Sequence, residues 1–405
     1  MTFEVRPARD ADEFWLALSQ IGQYFGMERN DEALERFMKV LPLDRMHLAL
    51  DGSTVVGGAG AFPFELSVPG GGSLPCCGTT VVGVSPTHRR RGVLTAMMRA
   101  QLDDAHERGE PLAALWASEA PIYGRFGFGL ASWSSDMELA REYTAFHGPP
   151  PEGVRARLVE KEEALELFPP IWEAVRRDRP GMFSRSRDWW ECRALADVPA
   201  RREGAGPHRR VVFELDWEVV GYAIYRHAPE WDAGSASGAV RVVEALGTTP
   251  DATAAIWRYL LDIDWTGKIT SGLLPPDHPL LFLVEEPRRL HFRLMDALWV
   301  RLLDVGVALA ARSYPGDGPI VLEVADPFCP WNEGRWRVSD GGAERIDDEP
   351  DIRLHVRELG SAYLGGISFA QLLRARRIDE AAPGAARRAD ALFRWDAAPW
   401  CPEIF

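Results

Sequence analysis

Two apolar runs, Leu48-Ala49-Leu50 and Val55-Val56, flank the polar stretch Asp51-Gly52-Ser53-Thr54. That pairing of turn residues favours a tight β-hairpin. A second β-branched run, Val81, Val82, Gly83 and Val84, stops at Ser85-Pro86. The period then changes. Val93, Leu94, Met97, Met98 and Leu102 recur at helical spacing and give one buried face, and Arg108-Gly109 reads as the end of that helix. Residues 111–117 (Pro-Leu-Ala-Ala-Leu-Trp-Ala) are continuously apolar, as expected of a strand buried on both faces in a parallel pair. Strand, helix and strand in this order predict an α/β unit.

The order recurs downstream. Val212-Phe213-Glu214-Leu215-Asp216-Trp217-Glu218-Val219-Val220-Gly221 repeats the hairpin, residues 240–246 repeat the strand, and Pro250-Asp251-Ala252-Thr253 opens a helix through Leu261. Between the copies, Gly148-Pro149-Pro150-Pro151 reads as a linker. Trp189 and Trp190 fall on a helix and face different ways, which suits core packing plus an interface. From about Pro287 the pattern changes again. Residues 295–312 are expected to form an amphipathic helix. Short strands over 320–324, 335–338 and 351–356 follow, then Gly365-Gly366 and a helix over 368–376. Strands and helices without the earlier alternation predict a separate α+β domain. The expected divisions are residues 1–150, 151–286 and 287–405.

Composition narrows the classes. A chain of 405 residues is long enough for two or three domains. Its net charge of −14, from 46 basic and 60 acidic residues, argues against nucleic acid as the main partner and suits a cationic substrate. The five cysteines (Cys76, Cys77, Cys192, Cys329 and Cys401) are odd in number and scattered, with no C-x-x-C. Neither a disulfide framework nor a metal site is expected, and a reducing cytoplasm is. Cys76-Cys77 reads as a pair of small core or turn residues. No signal peptide is expected from the first residues, which have neither a basic start nor an apolar run. Arg301 and Asp304 interrupt the longest apolar stretch, so no membrane span is expected.

The chemistry concentrates after the second strand. Ser85-Pro86-Thr87-His88-Arg89-Arg90-Arg91-Gly92 leads directly into the helix that begins Val93-Leu94-Thr95. A helix start offers free N–H groups and a partial positive charge to a phosphate. Gly92 lets the backbone approach without a Cβ, and the arginines add charge-assisted contacts. No Lys-Ser/Thr of a P-loop and no G-x-G of a dinucleotide site is present. What remains is the pyrophosphate loop of an acyl-CoA-dependent N-acyltransferase. The bland reading is a basic helix start on a solvated surface; the strand before it and the amphipathic helix after it favour the functional one. The second copy has Asp251-Ala252-Thr253 at this place and has lost the phosphate chemistry.

Ser118-Glu119-Ala120-Pro121-Ile122-Tyr123-Gly124-Arg125-Phe126-Gly127-Phe128 follows the buried apolar run 111–117. With the loop, it resembles the GNAT (Gcn5-related N-acetyltransferase) superfamily, although Leu94 stands where the usual loop has Gly or Ala. That likeness implies that the backbone of Val82, Gly83 and Val84 binds the pantetheine arm of acetyl-CoA. It also implies pyrophosphate binding by Arg89, Arg90, Arg91, Gly92, Val93, Leu94 and Thr95, with Ser118 and Glu119 bordering the cofactor. Tyr123 would then face the thioester sulfur as general acid; the alternative for it is a packed aromatic. The fold implied is tandem GNAT folds, the second degenerate, followed by a sterol-carrier-protein-like α+β domain. Three parts in this order, with Asp326-Pro327-Phe328-Cys329-Pro330-Trp331-Asn332 and the Pro399-Trp400-Cys401 tail, resemble the Eis (enhanced intracellular survival) family. This implies a homohexameric acetyltransferase acting on aminoglycoside amines at several positions, or on protein lysines. It also implies that the C-terminal carboxylate, here on Phe405, enters the active site as proton acceptor, with Glu403 a candidate for a second ammonium. Trp395, Trp400, Ile404 and Phe405 make this tail apolar enough to dock rather than fray. Rival readings are a protein-lysine or polyamine acetyltransferase and, in another class, a lipid-binding or scaffold protein with a vestigial site.

Overall fold

A computed structural model describes residues 3–405. The chain divides into two compact units: residues up to Ser132 with Ala297–Asp396 and Ile404–Phe405, and Trp133–Asp296 with Ala397–Glu403. Among the described residues no helix is long and apolar enough to cross a membrane.

The first unit is built on a seven-stranded sheet in the order Glu4–Pro7, Met46–Asp51, Thr54–Ser67, Ser73–Val84, Leu112–Trp116, Leu298–Leu302, Gly129–Leu130. Ser73–Val84 and Leu112–Trp116 run parallel, joined by the helix Val93–Glu107. Glycine decides how helices reach this sheet. A Cβ on Gly57 would lie 2.7 Å from the Met97 sulfur, and one on Gly58 2.1 Å from the Ala17 carbonyl. Successive strand residues face opposite sides. The two glycines therefore admit the helix Val93–Glu107 on one face and Ala11–Gly22 on the other. Gly83, paired with Gly58, makes the same allowance beneath Ile21. Cys76 and Cys77 are fully buried in this core.

The same unit holds a five-stranded sheet, Gly342–Ile346, Gly334–Ser339, Ile320–Ala325, Ile352–His355, Asp379–Glu380, with helices Val356–Tyr363, Phe369–Arg374 and Ala385–Phe393. The second unit has its own seven strands: Arg293–Asp296, Trp133–Ala140, Lys268–Leu274, Ala239–Gly247, Glu218–Ala228, Arg209–Leu215, Arg155–Val159. Its hairpin turns through Asp216 and Trp217, both at positive φ, and Thr249 caps the helix Pro250–Leu261 by accepting from the Ala252 N–H at 3.1 Å. The internal repeat is therefore a repeat of fold.

Two expectations need correction. Residues 295–312 are not one helix. They form the end of the strand Arg293–Asp296, the strand Leu298–Leu302 and the short helix Val305–Ala310 capped by Asp304. A short apolar run fits either period, and tertiary pairing selected the strand. The cuts at 150 and 286 also fall inside the second unit. Trp133–Ala140 pairs with Lys268–Leu274 and Arg293–Asp296 in the second sheet. Leu298–Leu302, expected in the third domain, fills the slot between Leu112–Trp116 and Gly129–Leu130 in the first. Residues 148–151 form a loop of the second unit, tied down by Arg258 donating to the Gly148 carbonyl at 3.0 Å. Linker composition reports a turn; strand pairing, which composition does not encode, sets the boundary.

Candidate active site

The site grows from a defect in a strand. Ser73–Val84 pairs with Leu112–Trp116 only where Cys76, Cys77 and Gly78 oppose Leu112, Ala113 and Ala114. On its other side the register with Thr54–Ser67 shifts between Gly58 and Gly60. Across from that shift Val81 takes a φ of 46°, a left-handed conformation costly for a β-branched residue. A bulge of this kind bends and twists the strand. Beyond it, Val82, Gly83 and Val84 have no strand partner on the Leu112–Trp116 side, so their amide edge is open to a ligand that carries amides of its own. One group is already engaged: the Tyr24 hydroxyl donates to the Val84 carbonyl at 2.8 Å.

The basic loop follows. Pro86–His88 is a single 3-10 turn, Arg90 has φ of 60° and Gly92 has φ of 93°. Gly92 begins the helix without a side-chain cap, and the first helical bond runs from the Ala96 N–H to the Gly92 carbonyl. The N–H groups of Val93, Leu94 and Thr95 thus lack helical acceptors. Arg89 and Arg90 are exposed and have no ion-pair partner among the described residues. Arg91 differs: it lies 3.4 Å from Asp51 and over the Phe3 ring. Asp51 also meets His88 at 3.2 Å, and His88 meets the Thr87 hydroxyl at 2.8 Å. The hairpin turn therefore pins part of the loop and leaves two arginines for an anion. Leu94 is half-buried against the apolar clusters on either side of it, which explains how the loop tolerates it. These residues fit a pyrophosphate.

Tyr123 ends the short helix Ala120–Tyr123 and is 7% exposed. It packs edge-on to Phe128 at 6.1 Å and among Met98, Leu102, Leu115 and Phe126. Burial, with a smaller push from Glu119, raises its phenol to about 12, so at neutral pH it holds its proton. The buried Cys77 thiol, raised mainly by burial, also stands at about 12. Ser118 and Glu119 are exposed at the entrance to that helix. Gly127, which turns the chain back into the sheet, has φ of 87°, and a Cβ there would lie 1.5 Å from the Arg301 guanidinium. Arg301 is fully buried against Asp326 at 2.7 Å. Asp326 also accepts from Cys329 N–H at 3.0 Å and Asn332 at 2.9 Å. The Asp326-to-Asn332 motif is thus a staple for the turn after Tyr123.

The last residue is docked. The Phe405 ring stands edge-on to Phe64 at 5.1 Å and Phe62 at 6.3 Å. Phe64 in turn occupies the space over Gly78, where a Cβ would come within 2.5 Å of its ring. Gly78 is the last residue paired before the strands part, and Phe64 lies between it and the Phe405 ring. Glu403 belongs to the second unit, where Arg185 donates to it at 2.9 Å and the Trp189 indole N–H donates to its other oxygen. The expected ammonium contact at Glu403 therefore competes with these bonds. Sequence reasoning missed Tyr24, Asp51 and the Gly58–Gly83 pair. Only the glycine spacing left a trace in the sequence; the other two act across long separations.

Residues 4–131 match the acetyltransferase (GNAT) domain family, residues 181–302 a second acetyltransferase (GNAT) domain family, and residues 305–402 the sterol carrier protein domain family. An uncharacterized N-acetyltransferase of Streptomyces avermitilis is 42% identical over 411 residues, covering all of both chains. The N-acetyltransferase Eis of Mycobacterium tuberculosis is 34% identical over 400 residues, 95% of this chain and 94% of that one. Among solved structures, Eis1 of Mycobacterium abscessus superposes with a TM-score of 0.87 at 33% identity, covering 99% of this chain and 100% of that one. A GCN5-related N-acetyltransferase of Anabaena variabilis shares the fold, with a TM-score of 0.85 at 19% identity and full coverage of both chains.

Proposed function

The chain belongs to the Eis family of GNAT N-acetyltransferases, and from that membership we propose that it transfers an acetyl group from acetyl-CoA to the primary amines of aminoglycosides. The observation that carries the donor half is the parting of Ser73–Val84 from Leu112–Trp116 directly beside an uncapped, arginine-bearing helix start. An open amide edge suits the pantetheine arm. The N–H groups of Val93, Leu94 and Thr95, with Arg89 and Arg90, suit the pyrophosphate. The cofactor supplies an acyl thioester; the residues around it do the rest.

Transfer is direct, with the amine nitrogen attacking the acetyl carbon and no acyl-enzyme formed. Tyr123 donates to the departing sulfur. Its burial keeps the phenol protonated, so the proton is available when the sulfur leaves. The Phe405 carboxylate, held by the Phe62–Phe64 contact, accepts from the ammonium. An ordinary α-carboxyl titrates at about 3.5, so it is a weak base and acts chiefly by orienting the amine. The acidic chain favours polycationic acceptors over neutral ones, which supports aminoglycosides and leaves polyamines and lysine side chains as competing acceptors. The same family reading carries a hexamer, checked by light scattering, and a cytoplasmic setting in keeping with five unpaired cysteines.

The lipid-carrier reading has an observation against it. A groove on the C-terminal sheet, about 740 Å³, mixes apolar residues such as Val324 and Leu354 with Glu323, Arg335, Arg345 and Arg353, and those charges disfavour a lipid there. The deciding experiment is a thiol-release assay with acetyl-CoA against aminoglycosides, polyamines and lysine peptides. Aminoglycosides should give the highest kcat/KM. Thiol release with no amine among them, while the protein still binds acetyl-CoA, would overturn the acceptor assignment.

A further inference from the structure

The second unit repeats one more feature of the first. Its parallel strands Ala239–Gly247 and Lys268–Leu274 pair only from Ala239 opposite Lys268 to Val242 opposite Ser271, and beyond that their ends part. The helix that follows has no basic loop, so no phosphate site replaces the lost pairing. The parted ends nevertheless have an occupant. From one strand, the Leu273 carbonyl accepts from the Trp400 indole N–H. From the other, Glu244 takes both arms of the Arg185 guanidinium at 3.0 and 2.6 Å, and Arg185 donates onward to Glu403 at 2.9 Å. The Trp400 backbone N–H bonds the Pro180 carbonyl at 2.8 Å.

Arg185 is unusual in its depth. Its side chain is 2% exposed, and its guanidinium lies 3.3 Å from the centre of the Trp172 ring and 4.6 Å from that of Trp190. Burial works against its charge, but Glu244 and Glu403 outweigh that and push its pKa up. One carboxylate would neutralise it; the second comes from the tail.

We propose that the second domain is a receptor for the C-terminal segment of its own chain: its parted strands bind a short, acidic, tryptophan-bearing peptide, residues 397–403, with Arg185 as the cation that selects it. The site asks for an indole that can donate to Leu273 and, three residues later, a carboxylate. This gives the catalytically empty copy a task, and it makes the tail a ligand rather than a passive terminus. Arg185 keeps its Glu244 partner when the tail leaves, so the receptor should stay folded without Glu403.

Cys401, between the two anchors and 1% exposed, reports the docking. In the full-length protein, alkylation by iodoacetamide is followed at each cysteine by mass spectrometry. Wild-type Cys401 should react slowly. Glu403→Gln and, separately, Trp400→Ala should each speed its alkylation at least tenfold, while Cys76 and Cys77, fully buried elsewhere, stay protected and certify the fold. Cys401 alkylated in the wild type as fast as in urea, or unchanged in both variants, overturns the proposal. The inference holds independently of the role given to Phe405. Faster labelling with unchanged turnover keeps the receptor and removes the carboxylate from catalysis; unchanged labelling removes the receptor whatever turnover does.

Discussion

Tyr123→Phe tests the proposed proton donor, because it deletes one oxygen and keeps the ring. The packing of that ring against Phe128, Met98, Leu102 and Leu115 is apolar and survives the change. The fold and the cofactor contacts, which lie on other residues, should therefore be preserved. What is lost is a hydrogen bond to a sulfur that becomes charged only as the thioester breaks. Positioned acids of this kind contribute about 10²- to 10⁴-fold, or roughly 3–5 kcal/mol of barrier. We expect kcat to fall within that range and KM for acetyl-CoA to change less than about threefold. The pH profile adds a second test. A phenol raised from 10.0 to about 12 stays protonated until well past the working range, so the acid itself gives no alkaline limb below that pH. The assay is continuous thiol release across pH 6 to 10 with saturating amine. A variant that keeps more than a third of wild-type kcat would refute the assignment of Tyr123 as donor.

Other outcomes follow from the same geometry. Arg89→Ala and Arg90→Ala should each raise KM for acetyl-CoA about tenfold, since their charge is unshared. Arg91→Ala should raise it less, because Asp51 already engages that side chain; equal effects at all three positions would contradict the division. A short peptide appended after Phe405 should cut kcat by at least tenfold while circular dichroism is unchanged, and full activity in the extended chain would remove the terminal carboxylate from the mechanism. Asp326→Ala leaves Arg301 buried and unpaired, and urea titration should show a loss of about 3–5 kcal/mol. His278, whose pKa burial lowers from 6.5 to about 3, stays neutral when folded but takes a proton when unfolded below 6.5. Stability present above pH 6.5 should therefore be lost as pH falls towards 3, at up to about 1.4 kcal/mol per unit. His278→Gln should flatten that slope in thermal melts, and an unaltered slope would assign it to other groups.

The amino-acid order carried the local chemistry of this protein. The helix face of Val93, Met97, Met98 and Leu102, the basic loop before it and the buried strand after it are each set by near neighbours, and all stand where their periods and turn residues put them. The repeated hairpin was legible for the same reason. So was the absence of a basic loop before the second copy's helix, because a helix start either carries glycine and arginine or does not. Tertiary structure decided everything that depends on pairing across distance. Leu298–Leu302 has the same apolar run whether helical or extended, and only a vacant slot in a sheet made it a strand. Asp51 became the pin of the basic loop, Tyr24 reached Val84, and Arg185 found both a strand carboxylate and a tail carboxylate, through contacts that leave no periodic trace. Sequence specifies which groups are available and which face of an element is apolar; the low cost of closing long loops lets the folded chain choose which of those groups meet.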